Sequence, residues 1–207
     1  MRETLEVDIL IVGGGPAGMS AALRLAQLQK QQGGNPLTIA VLDKARETGG
    51  HMLSGAVLDP RALRDLVPDF TEKGAPLVSE VHEDHVYFLT RGSKVPFPIV
   101  PPPLRNHGNY IISLNRFVKW LGGLVESEGV DVFTGFPAAE LLYEENRVVG
   151  VRTGDCGIGR HGEVKSTFEP GVDVRARVTI LADGVRGNLT KALVRRLALD
   201  DGRSPQV

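Results

Sequence analysis

The chain has little of several things that would point to a function at once. It has one cysteine, Cys156, in 207 residues. A single thiol excludes a disulfide framework and any all-cysteine iron–sulfur cluster held by this chain alone. Neither sign of charge is in excess. Lys and Arg number 24 against 25 Asp and Glu, a net charge of −1, so no nucleic-acid partner is expected. No apolar run approaches the ~18 residues of a membrane-spanning helix. There is no internal repeat and no low-complexity linker. What remains is a globular chain, 42% hydrophobic, with a mean hydropathy near zero. It is long enough for one domain, or for one large domain carrying an insertion.

The informative stretch is Val7 to Arg24, VDILIVGGGPAGMSAALR. The apolar run Ile9–Val12 reads as a buried parallel strand. It leads into Gly13-x-Gly15-x-x-Gly18, with Pro16 and Ala17 inside the motif, and then into a segment with helical spacing. Gly13 permits a tight strand-to-helix turn. Gly15 lets a pyrophosphate approach the backbone, and Gly18 lets helix and strand pack closely. The open amides and positive end of the helix dipole then face the phosphates. Because this strand begins by Val7, no room for a signal or transit peptide is expected ahead of it, which fits a bacterial intracellular chain or a processed one.

Leu37–Leu42 reads as a second buried strand ending in Asp43. An acid there accepts hydrogen bonds from an adenosine ribose, which favours FAD or NAD over NADP. It could also simply close a loop. The polar stretch 29–36 accounts for the long spacing between Gly18 and Asp43.

Further on, residues 61–70 carry Leu63, Leu66, Val67 and Phe70 on one helical face, limited to about two turns by Pro68. Strands are expected at 86–89 and 95–100 around Arg91-Gly92-Ser93, the second made irregular by prolines. An amphipathic helix should span 114–128 and stop at Gly129. A strand follows at 130–133, then a hairpin of 139–144 with 148–152, a strand over 172–181 and a helix over 188–199. Ala182-Asp183-Gly184 falls at the carboxyl end of the last strand, where open α/β sheets gather ligands, and suits backbone approach to a dinucleotide. An ordinary Asp-Gly turn would look the same. The element order predicts an α/β Rossmann unit interrupted by a substrate-side insertion.

Several segments together resemble the electron transfer flavoprotein:ubiquinone oxidoreductase family: 13–23 (GGGPAGMSAAL), 51–60 (HMLSGAVLDP), 72–76 (EKGAP), 106–112 (NHGNYII), 135–142 (GFPAAELL), 154–159 (GDCGIG) and 178–187 (VTILADGVRG). The resemblance runs through the whole chain in order. It implies a Rossmann-like FAD-binding domain with an inserted β-rich, quinone- and membrane-side subdomain, incomplete at the C-terminus. The expected division is 1–50 and 109–207 for the FAD-binding domain, with 51–108 inserted. The implied partners are electron transfer flavoprotein, ubiquinone and a membrane surface. The implied four-iron cluster would lie in a C-terminal part that this chain does not contain. Its expected location is the cytoplasmic face of a bacterial inner membrane, or the cytoplasm for a soluble fragment. Geranylgeranyl-reductase-like and nitrogen-fixation electron-transfer flavoenzymes share the architecture and stay as alternatives, as does an inert truncated module.

Residue by residue, the resemblance implies that Gly13, Gly15 and Gly18 hold the FAD pyrophosphate and Asp43 the ribose. Lys44 lies either beside the adenine or in solvent. Ala138 and Ala139 follow the strand where related flavoproteins clasp the adenine. Gly50, His51, Ser54 and Gly55 match the segment that runs toward the flavin ring, with His51 either donating to the cofactor or serving the fold. Asp183 and Gly184 complete the set. Residues 49–70 match the membrane-dipping segment, although the same amphipathic helix could pack on the core, and the proline-rich arm 95–104 is a second candidate for membrane contact or a rigid spacer. No side chain is expected to act as acid, base or nucleophile, because a flavin carries the chemistry and the protein positions it.

Overall fold

A computed structural model of the chain describes residues 2–53, 55–159 and 163–203. The chain opens with β1 (Thr4–Val12), α1 (Pro16–Gln32) and β2 (Ile39–Asp43). Helix α1 runs four residues into the polar stretch 29–36. Gln and Lys are good helix formers. The helix ends only at Gly33, whose φ of 65° suits glycine and whose N–H donates to the Gln29 carbonyl at 3.1 Å.

A smaller region follows, made of β3 (Ala56–Leu58), α2 (Arg61–Leu66), β4 (Leu77–Glu80), β5 (Tyr87–Leu89), β6 (Lys94–Pro96), a 3-10 turn at Pro102–Leu104, and β7 (Tyr110–Ile112). Strands β3, β7 and β4 form a three-stranded sheet, and β5 and β6 a separate hairpin. The central strand of the three-stranded sheet thus comes from just past residue 108. Neither β3 nor β4 was expected from the sequence.

The chain then returns through α3 (Leu114–Ser127), β8 (Asp131–Thr134), β9 (Ala138–Glu144), β10 (Arg147–Thr153), β11 (Cys156–Ile158), β12 (Val164–Glu169), β13 (Asp173–Leu181) and α4 (Asn188–Leu197). The main sheet has the order β8-β2-β1-β13-β10-β9. Its first four strands are parallel, and β10 and β9 add on antiparallel. Alternation along the strands separates two cores. Ile11 and Val41 face Met19 and Leu23 of α1 and Val118, Leu121 and Val125 of α3. Leu10, Val12, Ala40 and Leu42 face the other way, toward Val151, Val174 and Leu189.

Helix α2 stops at Leu66, earlier than the expected Phe70, because Pro68 cannot continue it. Its apolar side is turned inward. Leu63, Val67 and Phe70 are buried in the core shared with α1 and α3, and Leu66 packs against them. This corrects the reading of this helix as the membrane-dipping part of residues 49–70. In that segment the exposed large apolar side chains are Leu53 and Val57. A cluster of exposed apolar side chains also lies on the arm around β5 and β6, where Phe88, Leu89 and Ile99 are 63%, 73% and 66% exposed.

Candidate functional site

Strands β1, β2 and β13 end at one rim of the sheet. The ladder continues a step beyond them: Gly13 N–H donates to the Leu42 carbonyl and Ala182 N–H to the Val12 carbonyl, both at 2.8 Å. A cleft of about 420 Å³ opens above this rim. One wall is the glycine loop, 13–17. The others are Asp43 and Lys44, His51 and Met52, Pro137 and Ala138, and the loop from Ala182 to Leu189.

Each glycine of the loop answers a different neighbour. Gly13 has φ 110°, and a side chain there would overlap the Ala182 carbonyl. Gly18 is buried, and a methyl on it would overlap the Gly13 carbonyl and press on Ile11. Gly14 leaves room for the Asp43 carboxylate. Of the four, Gly15 is the one with free space at its Cβ position. A Cβ there would find only the Met52 methyl, at 3.5 Å. Helix α1 starts with Pro16, has no acidic residue in its first turn and receives no side-chain cap. Its positive end therefore faces the cleft with no side chain blunting it. Lys44 and Arg186 add two cations to the walls. Bare amides, a helix N-terminus and cations together suit a diphosphate.

The two acids at the rim are both engaged with backbone. Asp43 is 8% exposed. Its Oδ2 accepts the Gly14 N–H and its Oδ1 the Ala45 N–H, both at 2.8 Å. A carboxylate has about four lone-pair sites, so two remain for a ligand hydroxyl. Asp183 turns its side chain to the start of α4. Its Oδ2 accepts from the N–H groups of Leu189 and Thr190, at 3.1 and 3.2 Å, and its Oδ1 from the Thr190 hydroxyl. Gly187 is needed there because a side chain would overlap that carboxylate. What Asp183 offers the cleft is mainly its backbone, with the left-handed Gly184 (φ 80°) behind it.

Of the residues expected from the sequence, Gly13, Gly15, Pro16, Ala17, Asp43, Lys44, His51, Ala138, Asp183 and Gly184 come together around this cleft. Gly18, Gly50, Gly55 and Ala139 do not line it. Gly18 sits behind the loop, and Gly55 stands in open space with φ 84°. Ala139 points the other way, because side chains alternate across β9. Gly50 belongs to a loop docked on α3, where Asn115 Nδ2 donates to the Gly49 carbonyl at 2.7 Å and the Thr48 methyl lies against Gly122. Ser54 lies outside the described residues. Sequence reasoning missed Gly14, Met52, Pro137, Arg186 and Asn188 as cleft residues. The run of three glycines could have signalled Gly14, and Arg186 follows the Asp-Gly pair directly.

Comparison with known proteins agrees with the geometry. Residues 11–77 match the NAD(P)-binding Rossmann-like domain. Among solved structures, a geranylgeranyl bacteriochlorophyll reductase-like protein from Thermoplasma acidophilum is 24% identical, with a TM-score of 0.63, over 91% of this chain and 42% of that one. The flavin-dependent monooxygenase PieE, solved with FAD and substrate, gives 22%, 0.60, 94% and 32%. These two likenesses are of fold. Curated relatives are closer in sequence. The mitochondrial electron transfer flavoprotein-ubiquinone oxidoreductase of Dictyostelium discoideum is 47% identical over 99% of this chain and 34% of its own length. A probable electron transfer flavoprotein-ubiquinone oxidoreductase of Acinetobacter baylyi is 46% identical over 99% and 37%. The chain spans about a third of the length of these relatives. It is a Rossmann-like α/β domain similar, along nearly its whole length, to about one third of an electron transfer flavoprotein-ubiquinone oxidoreductase.

Proposed function

We propose that this chain is the FAD-binding, amino-terminal part of an oxidoreductase that passes electrons from reduced electron transfer flavoprotein to ubiquinone at a membrane face. The observation that carries the proposal is the cleft at Gly15, an open cradle of bare backbone at a helix N-terminus, in a chain 47% identical to such an oxidoreductase. The fit is chemical. The amides at the start of α1 hold the diphosphate, Lys44 and Arg186 offset its charge, and the two free lone-pair sites of Asp43 accept ribose hydroxyls. Pro137 and Ala138 bound the adenosine side, and His51 and Met52 also line the cleft. Bound FAD supplies the redox chemistry, and the residues here bind and orient it. The geranylgeranyl-reductase-like alternative rests on fold alone.

In this reading residues 1–50 and 109–207 form the nucleotide-binding domain, and 51–108 are the insertion. Among the described residues no helix is long and apolar enough to cross a membrane. Contact with the cytoplasmic face of a bacterial inner membrane is therefore assigned to the exposed arm around β5 and β6, a surface-lying attachment. The base of the arm is pinned where Asp84 accepts from the Asn106 backbone N–H and side-chain amide, at 2.7 and 3.1 Å.

Adding FAD, NAD and NADP separately to the purified chain tests the proposal. FAD should remain with the protein through gel filtration, with absorption bands near ~380 and ~450 nm, as for any bound flavin. A chain that stays colourless after incubation with FAD overturns the reading.

A further inference from the structure

We infer that Asp43 is also a latch: it holds the glycine loop in its phosphate-binding shape before any ligand arrives. The inference rests on the diphosphate reading of the cleft and assigns Asp43 a role beyond the ribose contact. Gly14 and Asp43 are 29 residues apart in sequence and belong to different strand ends. Two links join these ends across the rim. One is the Gly13 N–H to Leu42 carbonyl bond. The other is the Gly14 N–H donated to Asp43 Oδ2 at 2.8 Å. The second link is buried and charge-assisted, which makes it the stronger kind.

The geometry shows what the latch does to the amides. The Gly14 N–H is taken by the buried Asp43 carboxylate. With that amide fixed, the loop presents Gly15 and the first turn of α1 upward to the cleft. Gly14 itself must lack a side chain because the carboxylate occupies the space where a Cβ would stand. The other oxygen, Oδ1, accepts the Ala45 N–H in a local turn and so fixes the rotamer of the acid. The two oxygens thus serve two separate N–H donors.

This division makes Asp43→Asn informative. The amide has one acceptor oxygen for two N–H donors. The Ala45 contact is local, two residues on, and persists. The Gly14 contact is the one lost. The loop then orders only when ligand binds, and affinity falls for anything that uses the loop, including ligands with no ribose.

The test follows Gly14 amide exchange by NMR in the ligand-free protein, and measures binding of FAD, ADP and inorganic pyrophosphate by calorimetry. Exchange at Ile11 and Val41, buried in the core, reports whether the sheet is intact. In the parent protein the Gly14 amide should be protected. In Asp43→Asn it should exchange about tenfold faster or more, the scale of one charge-assisted hydrogen bond, with Ile11 and Val41 unchanged. Pyrophosphate should lose affinity about tenfold, and FAD and ADP by at least as much, because they also lose a ribose acceptor. Gly14→Ala keeps the charge but crowds the carboxylate. It should show the same pattern, and it serves as the second variant should Asp43→Asn fail to fold. If Asp43→Asn weakens FAD and ADP while pyrophosphate binding and Gly14 exchange stay unchanged, the acid serves the ribose alone and the latch is wrong. If Gly14 is protected by Asp43 but no FAD binds, the latch stands and the FAD reading fails.

Discussion

At the scale of single residues, glycines three positions apart are under opposite constraints. Gly15 faces the cleft with free space where a Cβ would go, whereas at Gly18 that space is taken by the Gly13 carbonyl. Gly15→Val should therefore fold, with a melting temperature close to the parent's, and lose FAD affinity by about tenfold or more. Gly18→Ala should lose about 1–3 kcal/mol of stability in denaturant titration, because helix and loop must move apart. The two variants separate binding from packing within one motif. If Gly15→Val retained flavin normally, the phosphates would lie elsewhere. The spacing of Gly13, Gly15 and Gly18 made their placement legible, since each job follows from the strand–loop–helix context. The constraint on Gly14 was not legible. It comes from a carboxylate 29 residues away, and nothing in the local pattern distinguishes a glycine that faces a ligand from one that faces a side chain. The direction of the Asp183 side chain was hidden for the same reason, because its partners are set by where α4 begins.

At the scale of elements, the sequence shows amphipathicity without showing its destination. The leucines of α2 recur at helical spacing whether they meet lipid or core, and only the tertiary fold decides. Leu63 is 5% exposed, so the core has them. Leu63→Asp should cost about 3–5 kcal/mol, by creating a cavity and burying a charge, and should appear as a large fall in melting temperature. On the arm the reverse holds. Phe88 and Leu89 point outward from a two-stranded hairpin. Phe88→Asp with Leu89→Asp should leave the melting temperature unchanged and reduce co-sedimentation with anionic lipid vesicles. Should vesicle association persist in that double variant, the arm is a spacer and the membrane contact lies elsewhere. Strands β3 and β4 of the insertion, and β7 just after it, went unread for a physical reason. At three to four residues each, they are too short to display alternation, and their stability comes from pairing with partners 30 to 56 residues away in the chain. The long parallel strand β1, nine residues, announces itself because its last three residues are buried on both faces of the sheet, and β13, also nine residues, by its length and its apolar end.

At the scale of the whole molecule, the two ends of the main sheet have different characters. The carboxyl rim of β1 and β13 opens into the cleft. The other end is closed by charge pairs that tie strands together. Arg152 and Asp173 face each other across β10 and β13 and join through two bonds, Nε to Oδ1 at 2.6 Å and Nη2 to Oδ2 at 2.8 Å. Arg2 pairs with Asp155, Arg177 with Asp8, and Arg147 and Arg175 both with Glu144. Donated hydrogen bonds hold each of these carboxyls below its ordinary range. The main cause is Arg152 for Asp173, Arg2 for Asp155, Arg147 for Glu144 and the Thr38 backbone for Asp8. A depressed carboxyl stabilises the fold at every pH above its unfolded value, and that contribution is lost as pH falls through the folded value. Unfolded Asp and Glu titrate near ~4, so the melting temperature should be flat from about pH 7 to 5 and fall below about pH 4. The pairs should not share this equally. Asp173 is the best shielded, with its side chain 21% exposed and bonded at two points, whereas the guanidinium of Arg177 is 76% exposed and weakened by solvent and salt. Asp173→Asn should therefore be less stable than the parent at pH 7 and lose less on acidification, while removing the exposed guanidinium with Arg177→Gln, which leaves the Thr38 bonds to Asp8 in place, stays close to the parent curve. Parallel acid slopes for the parent and Asp173→Asn would mean that this cross-strand pair contributes nothing to joining the antiparallel strands to the parallel sheet.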